Sequence, residues 1–338
     1  MIIIATHGSH AMRVIRTLLT LSFLIPSTVL AQQGGHAGHA QHGATTPAHH
    51  AAQPGSAARA PIPADARVGT IVLAHGGGPE WNAQVEKVAA LVNTGGPVAV
   101  SYLMGPGAKT NRFQDVVQKL AAEGAEYIVV VPMLMSSHSG HYEQIRYLAG
   151  EVDELDEVMM HHLQMAGIER PTTSVPVYVA RAIDDSPDVA RVLAERALAL
   201  TDDPASHALF ILGHGPNSAE DNAMWMQNLR PVADTVAAIT GFRDVKVGLV
   251  RDDAPAPVRA EAVRQVREII ALQHELTGRD VVVVPALIST GSVSHEKFPR
   301  DLDGLPVIYT GEALLPHPGL AKWIEARVAG MRESNLAQ

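Results

Sequence analysis

The chain is 338 residues long, 46% hydrophobic and 18% charged, which is enough apolar material for one large domain or two. A formal charge of −9 argues against nucleic acid as a partner, because phosphate binding needs a basic surface. There is no cysteine, so disulfides, iron–sulfur clusters, thiolate metal sites and cysteine nucleophiles are excluded, and the 17 histidines become the first place to look for chemistry. A metal here must be held by imidazole, carboxylate or water, a donor set suited to divalent Co, Ni, Fe or Zn.

In chain order, Met12–Ala31 places Arg13 and Arg16 before the apolar stretch Thr17–Ile25, which is too short to span a bilayer. Val29-Leu30-Ala31 is an acceptable cleavage site, so residues 1–31 read as a leader carrying a signal peptide. The pattern predicts a periplasmic or secreted protein that meets a membrane only through export. Residues 32–66 form a linker, of which Gln32–Ala60 is rich in Gly, Ala, Gln, Pro and His. Such a composition cannot bury a core and is expected to be disordered. It carries His36, His39, His42, His49 and His50, an auxiliary tract that could collect divalent metal loosely.

Regular patterning begins at Val68. Apolar runs at Val68–Ala74, Pro97–Leu103, Ile128–Pro132 and Val175–Ala180 predict strands, separated by helices over Glu80–Val92 and Thr110–Glu123 and closed by a helix over Pro187–Leu200. The order then repeats. Strands are expected at His207–Gly213, Val245–Val250, Val281–Leu287 and Pro306–Tyr309, with helices over Ala219–Ile239, Pro257–Leu276 and Pro318–Val328. Continuous apolar strands alternating with helices argue for parallel sheets covered on both faces. IVLAHGGGP is echoed by FILGHGPNS, IVVVPMLMSSHSGH by VVVVPALISTGSVSH, and SPDVARVLAERA by HPGLAKWIEARV. Shared order at three places supports an internal duplication, with half one over 67–203, half two over 204–331 and a tail at 332–338.

In open parallel sheets ligands bind beyond the carboxyl ends of the strands. His75 follows the first strand, and His138 and His141 follow the third; His214 and His295 hold the matching places in half two. A single histidine after a strand is more often a hydrogen-bonded turn residue. Two converging from different strand ends make a sensible site for a divalent metal, completed by a carboxylate such as Glu143 or Glu296. Met159-Met160-His161-His162 lies in the segment between the third and fourth strands and reads as a solvated amphipathic helix. No G-x-G-x-x-G follows the first strand, so no nucleotide is expected.

The Ala74-His75-Gly76 turn, the Val129–Pro132 strand leading to Gly140-His141, and His317-Pro318-Gly319-Leu320 before the last helix resemble the class II chelatases. These are the CbiX-type sirohydrochlorin cobaltochelatases and their ferrochelatase relatives. The resemblance implies an α/β fold of two tandem chelatase-like units, each a four-stranded parallel sheet with helices on both faces. It implies a lyase that inserts cobalt or a similar divalent metal into a tetrapyrrole such as sirohydrochlorin without ATP. His75 and His141 would be its metal-binding and catalytic histidines, with His138 beside them and His214 and His295 as the half-two counterparts. Glu143 would relay a proton. Lys109, Arg112 and Arg146 would bind substrate carboxylates, with Arg251, Lys297 and Arg300 as candidates in half two. The chain departs from the family in its export signal, in the additional His138 and in a longer Tyr142–Ser174 segment. The alternative is a non-catalytic periplasmic chaperone, buffer or sensor for Co, Ni or Zn, working with a metal-delivery partner.

Overall fold

A computed structural model of the chain describes residues 61–333. The expected signal peptide and histidine tract lie outside the described residues, as does the tail beyond Glu333. Half one runs β1 (Val68–Ala74), α1 (Pro79–Ala89), β2 (Val98–Tyr102), α2 (Gly105–Thr110), α3 (Phe113–Ala122), β3 (Tyr127–Met133), α4 (Gly140–Leu148), α5 (Glu157–Ala166), β4 (Val177–Val179) and α6 (Pro187–Leu198). Half two runs β5 (Ala208–Gly213), α7 (Ala219–Thr240), β6 (Asp244–Leu249), α8 (Ala256–Thr277), β7 (Val281–Ala286), α9 (Phe298–Leu302), β8 (Val307–Ile308) and α10 (Pro318–Glu333).

The two sheets have the same wiring, β2-β1-β3-β4 and β6-β5-β7-β8, and every pairing is parallel. β1 and β5 are buried along their whole length, as parallel strands covered on both faces must be. In each sheet the first and third strands are neighbours, with Val72 beside Val131 and Ile211 beside Val284. Their carboxyl ends therefore open on one crevice, which is where the strand-end histidines were expected to meet.

The expected helix over Thr110–Glu123 is α3, which starts three residues later, and the short helix α2 precedes it. Asn111 leaves helical geometry, its carbonyl accepts from the Ser101 hydroxyl at 2.9 Å, and Arg112 is extended before α3 begins. The segment around Met159 is the helix α5, capped by Asp156, whose Oδ1 accepts from the Val158 N–H at 2.9 Å and the Met159 N–H at 3.3 Å.

The halves are held together by exchanging their closing helices. α6 of half one lies against β7, and α10 of half two lies against β3. The exchange is mirrored in hydrogen bonds. Arg327 of α10 donates to the Ala182 carbonyl at 2.7 Å in the loop after β4, and Arg196 of α6 donates to the Ala313 carbonyl at 3.1 Å in the loop after β8. Strand periodicity explains the shared core. Leu209, Ile211, Val282 and Val284 face the core that also contains Val72, Val130 and Trp323, while Phe210, Leu212, Val281 and Val283 face a smaller core under α8 and α9. No helix among the described residues is long and apolar enough to cross a membrane.

Candidate metal centre

His75 and His214 stand immediately after β1 and β5, in turns of the same construction. Gly76 has φ +93° and Gly215 has φ +75°, conformations that residues with side chains rarely adopt. Each turn lets a histidine fold back on the next carbonyl: His75 Nδ1 lies 2.8 Å from the Gly76 oxygen and His214 Nδ1 lies 2.9 Å from the Gly215 oxygen. A carbonyl oxygen can only accept, so Nδ1 carries the hydrogen in both rings and Nε2 keeps its lone pair.

His141 reaches the same state by another route. Ser139 caps α4, its Oγ accepting from the Tyr142 N–H at 3.2 Å, which places His141 in the first turn. Its Nδ1 lies 2.8 Å from Gln144 Oε1, and the other end of that amide donates to the Met159 carbonyl at 2.7 Å. The His75 and His141 rings then meet edge to face, with centroids 4.7 Å apart and planes at 77°.

All three imidazoles are held below their ordinary pKa, first by burial among protein atoms. His141 is pushed down to about 4 by burial and then by the neighbouring His75, with Gln144 opposing and His162 and His214 adding further repulsion. His75 is lowered by burial, against the pull of the Gly76 carbonyl and of Asp253. His214 is lowered by burial, against the Gly215 carbonyl, Asp253 and Asp252. These influences link His75, His141 and His162 of half one electrostatically with His214, Asp252 and Asp253 of half two. Histidines of the two halves thus act on one another electrostatically, where the sequence paired them within each half. Among the described residues no group of three or more His, Asp or Glu side chains is placed so that it could hold a metal ion. The His75–His141 pair is the one close imidazole contact among the described candidate residues.

The other expected residues fall in different places. His138 is half-buried and is tied through its backbone: its N–H donates to Ser136 Oγ at 3.1 Å and its carbonyl accepts from Trp225 Nε1 at 2.6 Å. Trp225, on α7, also sets its ring edge-on to His214 at 5.3 Å, so one indole ties the half-one loop to the half-two histidine. Glu143 and Arg146 are partners of each other at 3.1 Å, and Arg146 also approaches Glu151 at 3.5 Å. Lys109 is exposed on α2, and Arg112 pairs with Asp115 at 2.7 Å. In half two Lys297 pairs with Asp252 at 2.5 Å, while Arg251 and Arg300 donate to the carbonyls of Pro216 and Glu296.

His295 is exposed, on a π-turn over Val293–Lys297 with its ring beside Gly311, and is not the counterpart of His141. The reason is one added residue: His141 is nine residues beyond Pro132, whereas His295 is ten beyond Pro285. Ser294 takes the matching place, fully buried, its Oγ hydrogen-bonded to Gly291. Sequence reasoning missed Gln144, Trp225, Asp252 and Asp253. The two aspartates follow β6, so the strand-end rule that found the histidines could have found them too; Trp225 and Gln144 carry no such signal.

Residues 69–200 match the CbiX family. Among the curated proteins none matches the chain significantly. SirB from Bacillus subtilis with Fe3+ is similar in structure at a TM-score of 0.55 and 16% identity, over 80% of this chain and 98% of SirB. DR2241 from Deinococcus radiodurans, a multi-domain protein with structural similarity to chelatases and two additional novel domains, matches at a TM-score of 0.51 and 18% identity, over 78% of this chain and 55% of its own length. The repeated four-stranded parallel sheets and the family match agree: residues 69–200 resemble the CbiX family, and the described chain shares its fold with SirB.

Proposed function

We propose that the chain is a metal-inserting chelatase with a single centre, taking up a divalent ion on His75 and His141 of half one together with His214 of half two. The observation that carries this reading is the common tautomer: three neutral rings, each with Nδ1 engaged, each leaving Nε2 able to act as ligand or base. Neutral imidazole suits late divalent metals, with cobalt our first assignment and nickel, iron or zinc compatible with the same donors. The substrate assigned is a tetrapyrrole such as sirohydrochlorin. Of the two adjoining rings, one can hold the incoming ion while the other accepts a pyrrole N–H proton, and the exposed carboxylate of Asp253 can attract the ion. Glu143 is engaged by Arg146, so it fits a fixed ion pair better than a relay. The signal-peptide pattern leads us to place this activity in the periplasm or outside the cell.

Purified protein incubated with sirohydrochlorin and Co2+ should accelerate the absorption change of metal insertion, and His75→Ala should abolish the acceleration. A rate equal to the uncatalysed one, in a protein that binds Co2+, would overturn the catalytic part of the reading.

A second reading, a non-catalytic exported metal carrier, is favoured by one observation. Two of the cations expected to meet substrate carboxylates are already partnered, Arg146 with Glu143 and Glu151 and Arg112 with Asp115. Arg112 and Asp115 are each 44% exposed, so their pairing is worth little and can be exchanged for a substrate carboxylate. For that reason we rank the enzyme first.

A further inference from the structure

Gln144 is 1% exposed, on the buried face of α4, and both ends of its amide are engaged. A glutamine can present either its oxygen or its NH2 to a histidine, and the choice sets which ring nitrogen carries the hydrogen. If the NH2 faced His141, Nδ1 would have to accept and Nε2 would carry the hydrogen. His141 would then have no lone pair for the centre it shares with His75. What decides between the two is the partner at the far end of the amide. Here it is the Met159 carbonyl, 2.7 Å away, which can only accept and therefore takes the NH2.

Met159 is itself held in place. It lies in the first turn of α5, whose start is fixed by the Asp156 cap, and Leu163 anchors the helix in the core. Its thioether rests on the start of α4, so closely that a Cβ on Gly140 would come within 2.7 Å of Sδ. α5 belongs to the long connection between β3 and β4, residues 134–176, whereas residues 287–306 suffice between β7 and β8. Half two has neither the helix nor a histidine at the matching place, where Ser294 stands.

We infer that Gln144 is a positioning residue, and that α5 acts through the Met159 carbonyl to hold the Gln144 amide in the one orientation that leaves His141 Nε2 free. The chain Met159–Gln144–His141 gives the inserted segment a purpose: it sets the hydrogen placement on the centre without touching metal or substrate. The use of the free Nε2 rests on the metal-centre reading above; the tautomer does not.

The test uses the metal-free full chain with 15N-labelled histidine. Long-range 1H–15N NMR reports which nitrogen of each ring is protonated, and the His141 signals are identified by their loss in His141→Ala. His141 should be protonated on Nδ1. Gln144→Glu should keep that state, because a carboxylate also only accepts. Gln144→Leu, which removes the acceptor, should give a mixture of tautomers and weaken Co2+ binding in calorimetry by about 10- to 100-fold, with the glutamate variant closer to wild type. An Nε2-protonated His141 in the wild type would overturn the inference, as would an unchanged tautomer in Gln144→Leu. If the tautomers behave as expected but no variant binds Co2+, the metal-centre reading fails and the positioning stands.

Discussion

A histidine that must offer a lone pair competes with protons for it, and His141 is protected from that competition by burial and by His75. Its pKa of about 4 means that the ring stays neutral as the pH falls through 6.5, the ordinary value for histidine. Metal uptake should therefore persist at pH 5.5, where exposed imidazole ligands are mostly protonated, and fail on approach to pH 4. The same shift has a cost in stability. Between pH 6.5 and 4 the unfolded chain binds a proton at this site that the folded chain refuses, so folding weakens as the pH falls through that window. Melting temperature measured against pH should decline across it, and His141→Gln should flatten the decline. A wild-type curve flat over this range would contradict the assigned burial. The positions of His75, His141 and His214 beyond strand ends were legible in the sequence because the apolar runs before them mark the strands. His295 was misplaced because a similar motif does not reveal that one added residue turns a helical side chain away from the core.

At the scale of elements, the strands were read nearly to their ends, since a continuous apolar run of strand length between turn residues fits a buried strand and little else. The short helix α2 was not, and the Ser101 hydroxyl that holds the Asn111 carbonyl at its end comes from β2. α5 was recognisable as an amphipathic helix, yet its packing on Gly140 and its grip on Gln144 could not be seen from periodicity. α7 matters to the centre through one side chain, since Trp225 spans from the His138 carbonyl to the His214 ring. Trp225→Phe keeps an aromatic ring but removes the N–H donor. It should lower stability by about 1 kcal/mol in denaturant unfolding, and by up to about 3 kcal/mol if the His138 carbonyl stays buried without a partner. An effect near zero would show that the indole contact does not tie the halves.

Across the whole molecule, the duplication was legible but its consequence was not. Repeat correspondences say that two halves share a plan; they do not say that α6 and α10 are exchanged, or that one face of the second sheet completes the core of the first. A fragment of residues 67–203 would expose the β3 face that α10 covers and the α6 face that packs on β7. It should lack a cooperative thermal transition, while the full chain melts as one unit. A fragment that folds cooperatively alone would argue against the exchange as the source of stability.

If the duplication builds one metal centre between the halves, the number of Co2+ ions bound per chain is the direct measurement of it. Calorimetry with elemental analysis gives that number, in protein whose tract histidines (His36, His39, His42, His49 and His50) are replaced by alanine. One tightly bound ion per chain is predicted, with binding severely weakened by either His75→Ala or His214→Ala. Two ions per chain, or a single ion held equally well after His214→Ala, would contradict a shared centre.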